Sequence, residues 1–431
     1  MDIRRSILNA VNREFNIEYN IDINNYLTVQ ALENNLTVKL SVNTCEYCID
    51  GDGNWKTLVA DTNTEPINTG HILSFRGNLT PASSNGIGTF TISKKCNLKG
   101  NCMSMLYGDN AVDNNSVASY GFQGLFTSAT SIISAADLQL PATTINTYCY
   151  RNMFQGCSGL VYPPKILPAK SAKSYCYYQM FAGCKALVET PILSATTLAS
   201  YCYNYMFNGC SKLTKVSDLP AKTVTTYSYS NMFKSCTSLV DIPNLLFTSA
   251  SGSYACTSMF EGCTKIKNLP SGFLGNCKTL GWSGYGRMFY GCTSLEDAPE
   301  ILPATTLTNS CYQHMFYNCS KLKNVPQLPA TTLIDNCYRY MFYGCKAITE
   351  SPVLKATTLT SQCYLQMFYN CTNLTKITML ATDVSASRCL SNWVSGITTA
   401  GTFVKNASMN DLPTSASGIP SGWTIEDYIE N

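Results

Sequence analysis

The 431-residue chain is short of charge, of histidine and of long apolar runs. Asp, Glu, Lys and Arg together make 13% of it, about half the share usual for a soluble domain, and the net charge is only +3. No basic run goes beyond pairs such as Arg4-Arg5 and Lys94-Lys95. A field that weak excludes a phosphate-backbone grip and argues against nucleic-acid partners or an anionic membrane. No stretch approaches the ~18 apolar residues that cross a bilayer, so no membrane insertion is expected. Residues 1–20 carry basic, acidic and amide side chains where a secretory leader would have an apolar centre.

Catalytic constellations are equally scarce. The two histidines, His71 and His314, lie in different regions, and neither sits in a Ser/His/Asp or Cys/His arrangement. There is no phosphate loop or dinucleotide fingerprint, and no acidic pair suggests a glycosidase dyad. Asp50, Asp52 and Asn54 open like a calcium loop, but Trp55 stands where glycine is needed and no glutamate closes it; a hairpin turn is the better reading. Cys45-Glu-Tyr-Cys48 with Cys96 and Cys102 offers four thiols at spacings wrong for a zinc ribbon. The expectation is a chain without catalytic residues, cofactor or metal.

What the sequence has in abundance is a repeat. Met-Phe recurs at Met153, Met180, Met206, Met232, Met259, Met288, Met315, Met341 and Met367, in steps of 27, 26, 26, 27, 29, 27, 26 and 26 residues. Leu125-Phe126 is a degenerate earlier copy, and Trp393 an altered last one. A cysteine follows each Met by four residues, Leu or Ile comes three later, and a proline usually falls seven after the cysteine. One unit, Cys337-Tyr-Arg-Tyr-Met-Phe-Tyr-Gly-Cys345, places apolar residues at i, i+1, i+4, i+5 and i+8, which predicts one face of a short helix ended near Gly344. Residues 346–354 predict a short strand, with Pro352 at its margin or on a bulge because proline removes a ladder donor. A single unit cannot bury its apolar face, but stacked copies can, and a period of about 26 falls in the leucine-rich range. The repeat core is Met153, Phe154, Cys157, Met315, Phe316, Cys319, Met341, Phe342 and Cys345, with their equivalents.

The fold class expected is therefore an α/β leucine-rich solenoid over 111–395, preceded by a small antiparallel β-sandwich-like domain over 21–110. Within that domain Leu36–Val42 alternates, Glu46–Leu58 is a hairpin, and His71–Arg76 and Thr89–Ser93 are further strands. Residues 396–431 lose the pattern and form a cap. Residues 1–20 form a helix with Ile3, Ile7, Leu8, Val11 and Phe15 on or near one face, which either packs on the next domain or docks in a larger assembly.

Sixteen of the 22 cysteines fall in two columns, eight residues apart within a unit. Eight residues of helix is roughly 12 Å, beyond the ~7 Å a disulfide spans. Ser228 and Ala255 replace one column while Cys236 and Cys263 remain in the other. Buried free thiols acting as small hydrophobes fit best; bridges between stacked units stay open. The 29-residue step, with Cys256, Cys277 and Trp282 out of register, is either drift in a loop or a mark of a binding face. Tyr and Asn fill many positions outside the core columns, which suits glycan or protein contact and equally keeps a low-charge surface soluble.

The unit Cys311-Tyr-Gln-His-Met-Phe-Tyr-Asn-Cys319, followed by Leu322 and Leu328-Pro-Ala-Thr-Thr332, resembles the BspA-like leucine-rich repeat proteins of Bacteroidales bacteria and their phages. Gly100–Asn110, Asn392–Gly396 and Gly418–Trp423 are similar to the same group, so the resemblance runs over roughly residues 40–431. It implies surface exposure and adhesion to proteins or glycans. Set beside the missing export leader, it implies a virion component: a fibre or decoration protein of a Bacteroides-infecting, crAss-like phage, head fibre before tail fibre. In that setting the N-terminal region would meet other virion (capsid) proteins, the solenoid would meet a host surface protein or glycan, and a homo-oligomer is expected. The alternative is a bacterial cell-surface adhesin.

Overall fold

The computed structural model describes residues 20–274, 277–409 and 412–429. The docking residues Ile3, Ile7, Leu8, Val11 and Phe15 lie outside them. The chain divides into two compact units at Ala195/Thr196.

The first unit opens with seven strands: β1 (Leu27–Ala31), β2 (Val38–Leu40), β3 (Cys45–Ile49), β4 (Lys56–Leu58), β5 (Ile72–Arg76), β6 (Phe90–Ile92) and β7 (Cys96–Asn101). The expected hairpin is present, and the expected alternation holds as far as Leu40, with Val42 exposed. Leu36, Val38 and Leu40 are buried, and β3 pairs antiparallel with β4 at Cys45↔Leu58 and Tyr47↔Lys56. The sheet order is β4-β3-β5-β1-β7-β8, where β8 (Ile132–Gln139) already belongs to the repeats and runs parallel to β7. β2 and β6 form only a two-stranded antiparallel pair. In place of a separate sandwich ending at 110, one six-stranded sheet thus continues into the first repeat.

The repeats form a β-solenoid of about 12 turns. This corrects the α/β reading: the segment expected to be helical is turns, and α1 (Ser104–Tyr107) is the only α-helix among the described residues. Backbone chemistry gives the reason. In the coil around Met341, Cys337, Arg339, Met341, Tyr343 and Cys345 donate N–H to Ile334, Asn336, Tyr338, Tyr340 and Phe342, each three residues back. The intervening Tyr338, Tyr340, Phe342 and Gly344 donate instead to Cys363, Leu365, Met367 and Tyr369 of the next coil. Half the donors close overlapping β-turns and half build an inter-coil ladder.

Asn336, Tyr340 and Gly344, the third residues of alternate turns, have φ of 61°, 57° and 70°, as type II turns require. A residue with positive φ every four positions cannot continue a right-handed helix. The apolar spacing of four, close to the helical 3.6, is the repeat of this turn; a true helix would drift about 80° over the eight residues between Cys337 and Cys345.

Strand Glu350–Leu354 pairs parallel with Lys376–Met379, and the register shifts between Glu350 and Val353, around Pro352, as expected of a proline in a ladder. Thr402–Lys405 and Thr424–Asp427 add two parallel rungs, so the coil path outlasts the sequence pattern. The last strand is exposed throughout and carries Glu426 and Asp427, charges that discourage further strand pairing at an open edge.

The core columns Cys337, Tyr338, Met341, Phe342 and Cys345 are buried. Phenylalanine rings stack from coil to coil, with Phe316–Phe342 and Phe342–Phe368 centroids both 5.7 Å apart. All 22 cysteines are buried free thiols. The second cysteine of each unit has a reason beyond size: Cys345 Sγ donates to Phe316 O at 3.0 Å and Cys371 Sγ to Phe342 O at 3.0 Å. Those carbonyls already accept the Cys319 and Cys345 backbone N–H, so the thiol serves the second lone pair. Burial pushes the Cys157 and Cys263 thiols up to about 12, which keeps them protonated and unreactive.

Candidate binding surface: two tyrosine ladders

Coils joined by a parallel ladder sit one strand spacing apart, about 4.8 Å. Equivalent side chains on successive coils must therefore stack, and where they are aromatic their rings meet face to face. Inside, this makes the core. Outside, it makes half-buried rows of tyrosine.

One row lies five residues before each Met. In the first unit, Tyr120–Tyr148 and Tyr148–Tyr175 centroids are both 4.9 Å apart. In the second unit, Tyr201–Tyr227 and Tyr227–Tyr254 are 4.7 Å apart, and the row ends on Trp282, 5.5 Å from Tyr254 and tilted by 45°. Beyond the 29-residue step that position is Ser283, Ser310, Asn336, Gln362 and Arg388. There the aromatics move to two residues after Met, where Tyr290–Tyr317, Tyr317–Tyr343 and Tyr343–Tyr369 stack at 4.5, 4.4 and 4.7 Å. Before the step the same place holds Gln155, Ala182, Asn208, Lys234 and Glu261.

A small charged group marks the changeover. Glu261 takes Arg287 Nε at 3.0 Å and Nη2 at 3.1 Å, and Lys234 Nζ at 3.1 Å. Burial works against the Glu261 charge, but these donors outweigh it and hold the carboxyl below its ordinary value. The Arg287 guanidinium also lies over the Tyr290 ring at 4.1 Å, a cation–π contact. One coil on, His314 stacks on Tyr340 at 4.6 Å. Burial, then the nearby Arg287 and Arg339, lower His314 to about 4, so it is neutral near pH 7. Within the row, burial and Tyr343 push Tyr317 up to about 12. The surface thus presents neutral ring edges and phenol hydroxyls, with faces turned to one another.

The residues singled out from sequence fall elsewhere. Met153, Phe154, Cys157, Met315, Phe316, Cys319, Met341, Phe342 and Cys345 are wholly buried and support the surface without forming it. Asp50 closes a hairpin turn: its carboxylate meets His71 Nδ1 at 2.6 Å and accepts the Ile72 N–H at 3.0 Å. Cys45, Cys48, Cys96 and Cys102 are buried, and among the described residues no group of three His, Cys, Asp or Glu side chains could hold a metal ion. No helix among them is long and apolar enough to cross a membrane.

The column of variable residues one before Met, which includes Asn152, Gln179, Tyr205, Asn231, His314, Tyr340 and Gln366, is a positive-φ column. Its polar, amide-rich composition was a usable signal for left-handed backbone. The exchange of tyrosine between two columns was also readable once the repeats were aligned on Met.

A family profile, the BspA type leucine rich repeat region (6 copies), matches residues 123–296 and 285–398. The crystal structure of a leucine-rich repeat protein from Bacteroides ovatus ATCC 8483 is similar at 16% identity, with a TM-score of 0.32, over 82% of this chain and 99% of that one. No curated protein matches the chain.

Proposed function

Because the chain belongs to the BspA-type leucine-rich repeat family, whose members are often surface-exposed or adhesin-like, we propose that it is a non-catalytic adhesion module whose solenoid touches a host-surface protein or glycan. The observation that supports this reading is the pair of half-buried tyrosine ladders on the surface. Aligned rings offer a large, rigid, amphipathic contact area at little entropic cost. The backbone ladder beneath fixes their spacing, so the surface is organised before a partner arrives.

The setting proposed is a virion. The chain would be a fibre or decoration protein of a Bacteroides-infecting phage, placed on the head, assembled as a homo-oligomer and attached to capsid proteins through its N-terminal region. A bacterial cell-surface adhesin of the BspA type would use the same surface. Sedimentation of the native source, followed by mass spectrometry, separates the settings. Recovery with intact phage particles is expected; recovery with the outer membrane would replace the virion by the cell surface.

Adhesion has its own test. Purified chain should bind intact Bacteroides cells. Replacing Tyr317 and Tyr343 together with alanine should weaken that binding by about tenfold or more, the scale of an aromatic hot spot. A chain that binds no cell type offered, or whose binding ignores the double variant, would remove the ladders from the proposal.

A further inference from the structure

Trp282 breaks the repeat in a way that packing does not explain. Six residues before Met, most other coils carry small hydroxyls, Thr147, Ser174, Ser200, Thr226, Ser253, Ser361 and Ser387, and two carry Asn309 and Asp335, while this coil carries tryptophan. The ring is not drawn into the core: Trp282 is 53% exposed, whereas Trp393 and Trp423 are buried.

Its main chain is held on both sides. Tyr254 N–H donates to Trp282 O at 2.7 Å, the flanking Gly281 donates to Ala250 O at 2.8 Å, and Ser283 donates to Asn309 O at 3.1 Å. The close approach needs glycine, because a Cβ on Gly281 would lie 2.3 Å from Gly252 O. A large apolar ring is thus fixed on a rigid base and left in water. One side leans on Tyr254, the end of the tyrosine row. On the next coil the matching positions are Asn309 and Ser310, and on the one after Asp335 and Asn336. Only Asp335 among these is charged, and its carboxylate is engaged by the Ser361 N–H at 3.1 Å.

We infer that Trp282 is the stacking platform of a subsite for a neutral sugar, with the half-buried amides of Asn309 on the next coil and Asn336 on the one after as hydrogen-bonding partners. The inference rests on the adhesion reading and narrows it to a neutral glycan at one address. The pairing follows from ring chemistry. The C–H groups on one face of a pyranose carry partial positive charge and meet the negative face of the indole. Its hydroxyls then need amides and hydroxyls at the rim, which can donate and accept. The tyrosine rows offer no such face within the stack, since their rings cover one another; the row's exposed end is the indole. A sugar acid would want a cation here, and Arg287 is already taken by Glu261.

The test uses the full chain and an array of neutral oligosaccharides built from glucose, galactose, mannose and fucose, with uronic- and sialic-acid oligosaccharides alongside. A neutral oligosaccharide should bind, shift the tryptophan emission and shield it from acrylamide, because Trp282 is the most exposed of the indoles. Trp282→Ala should weaken that binding at least tenfold, and Trp282→Phe should keep part of it. The melting temperature should barely move, which separates lost binding from lost folding. The inference is overturned by binding that Trp282→Ala leaves intact, by a preference for acidic glycans, by no neutral glycan binding, or by a Trp282-dependent dimer in sedimentation. If cells hold the Trp282→Ala chain as well as the parent, this subsite fails and adhesion stands. If cells hold neither chain, adhesion itself fails.

Discussion

The two tyrosine ladders of the second unit look alike in ring spacing and differ in the backbone that carries them. Tyr201, Tyr227 and Tyr254 stand at φ of 62°, 54° and 56°. Tyr290, Tyr317, Tyr343 and Tyr369 stand on ordinary negative-φ backbone and donate their own N–H locally, to Arg287, His314, Tyr340 and Gln366. Left-handed backbone costs an L-residue about 1–2 kcal/mol. Each stacked aromatic pair returns roughly 0.5–1.5 kcal/mol beyond burial, and an interior ring has two neighbours. In the first ladder stacking therefore offsets strain, so ring and backbone depend on each other. In the second, stacking is a surplus on relaxed backbone. A solenoid can move its aromatic row from one column to another without altering the core, provided the coil between them absorbs the change, and the 29-residue step is where this one does so.

The largest effect should come from a residue that tolerates neither term. Tyr227→Val removes two stacking contacts and puts a β-branched side chain at positive φ, an outlier for that class. We expect a loss of about 3 kcal/mol at that coil. Tyr317→Val loses the stacks alone, about 1–2 kcal/mol. Because repeat arrays need not unfold in one step, hydrogen exchange read coil by coil is the suitable measurement. Equal losses at the two sites would show that strain plays no part in the comparison.

Acid should separate the ladders next. His314 lies against the second row, and its pKa falls from about 6.5 in an unfolded chain to about 4 in the fold. Between those values the unfolded chain binds the extra proton and the fold does not, so stability is intact above pH 6.5 and is lost as pH falls toward 4. The linkage comes to roughly 2 kcal/mol at pH 5. His314→Asn should flatten that slope, since asparagine already occupies the same positive-φ column at Asn152 and Asn231. Exchange protection of coils 288–343 should fall between pH 7 and pH 5 in the parent chain and hold in the variant. A slope that survives the substitution would assign acid sensitivity to the carboxylates, Glu261 first.

Those expectations show where sequence reading reaches and where it stops. The period, the buried columns, the β3–β4 hairpin and the bulge at Pro352 all follow from spacing and residue type. The turn coil did not, because a four-residue turn and a 3.6-residue helix place Cys337, Met341 and Cys345 almost alike over eight residues. The feature that tells them apart is backbone chirality at Asn336, Tyr340 and Gly344, which the glycine and the asparagine announce and the tyrosine does not. Tyr148, Tyr175, Tyr201, Tyr227 and Tyr254 concealed the column, since a bulky aromatic is the residue least expected at positive φ; stacking on the next coil, a contact invisible within one repeat, makes it affordable there. Trp282 was visible as an irregularity, but its exposure was not.

The smallest effect carries the sharpest sign. At Tyr227, glycine should be a better replacement than alanine by about 1 kcal/mol, because both lose the rings and only glycine sheds the strain of positive φ. At Tyr317 the order should reverse by roughly 0.5–1 kcal/mol, since on relaxed backbone glycine adds only conformational entropy to the unfolded chain. Each pair shares its lost contacts, so the glycine–alanine difference isolates the backbone. Urea or thermal unfolding of the four variants, scored within each pair, is enough. Opposite signs would establish that one row of rings is held against its backbone and the other with it. The same sign at both positions would mean that the coil relaxes φ once the ring is gone, and the ladders would then differ in sequence position alone.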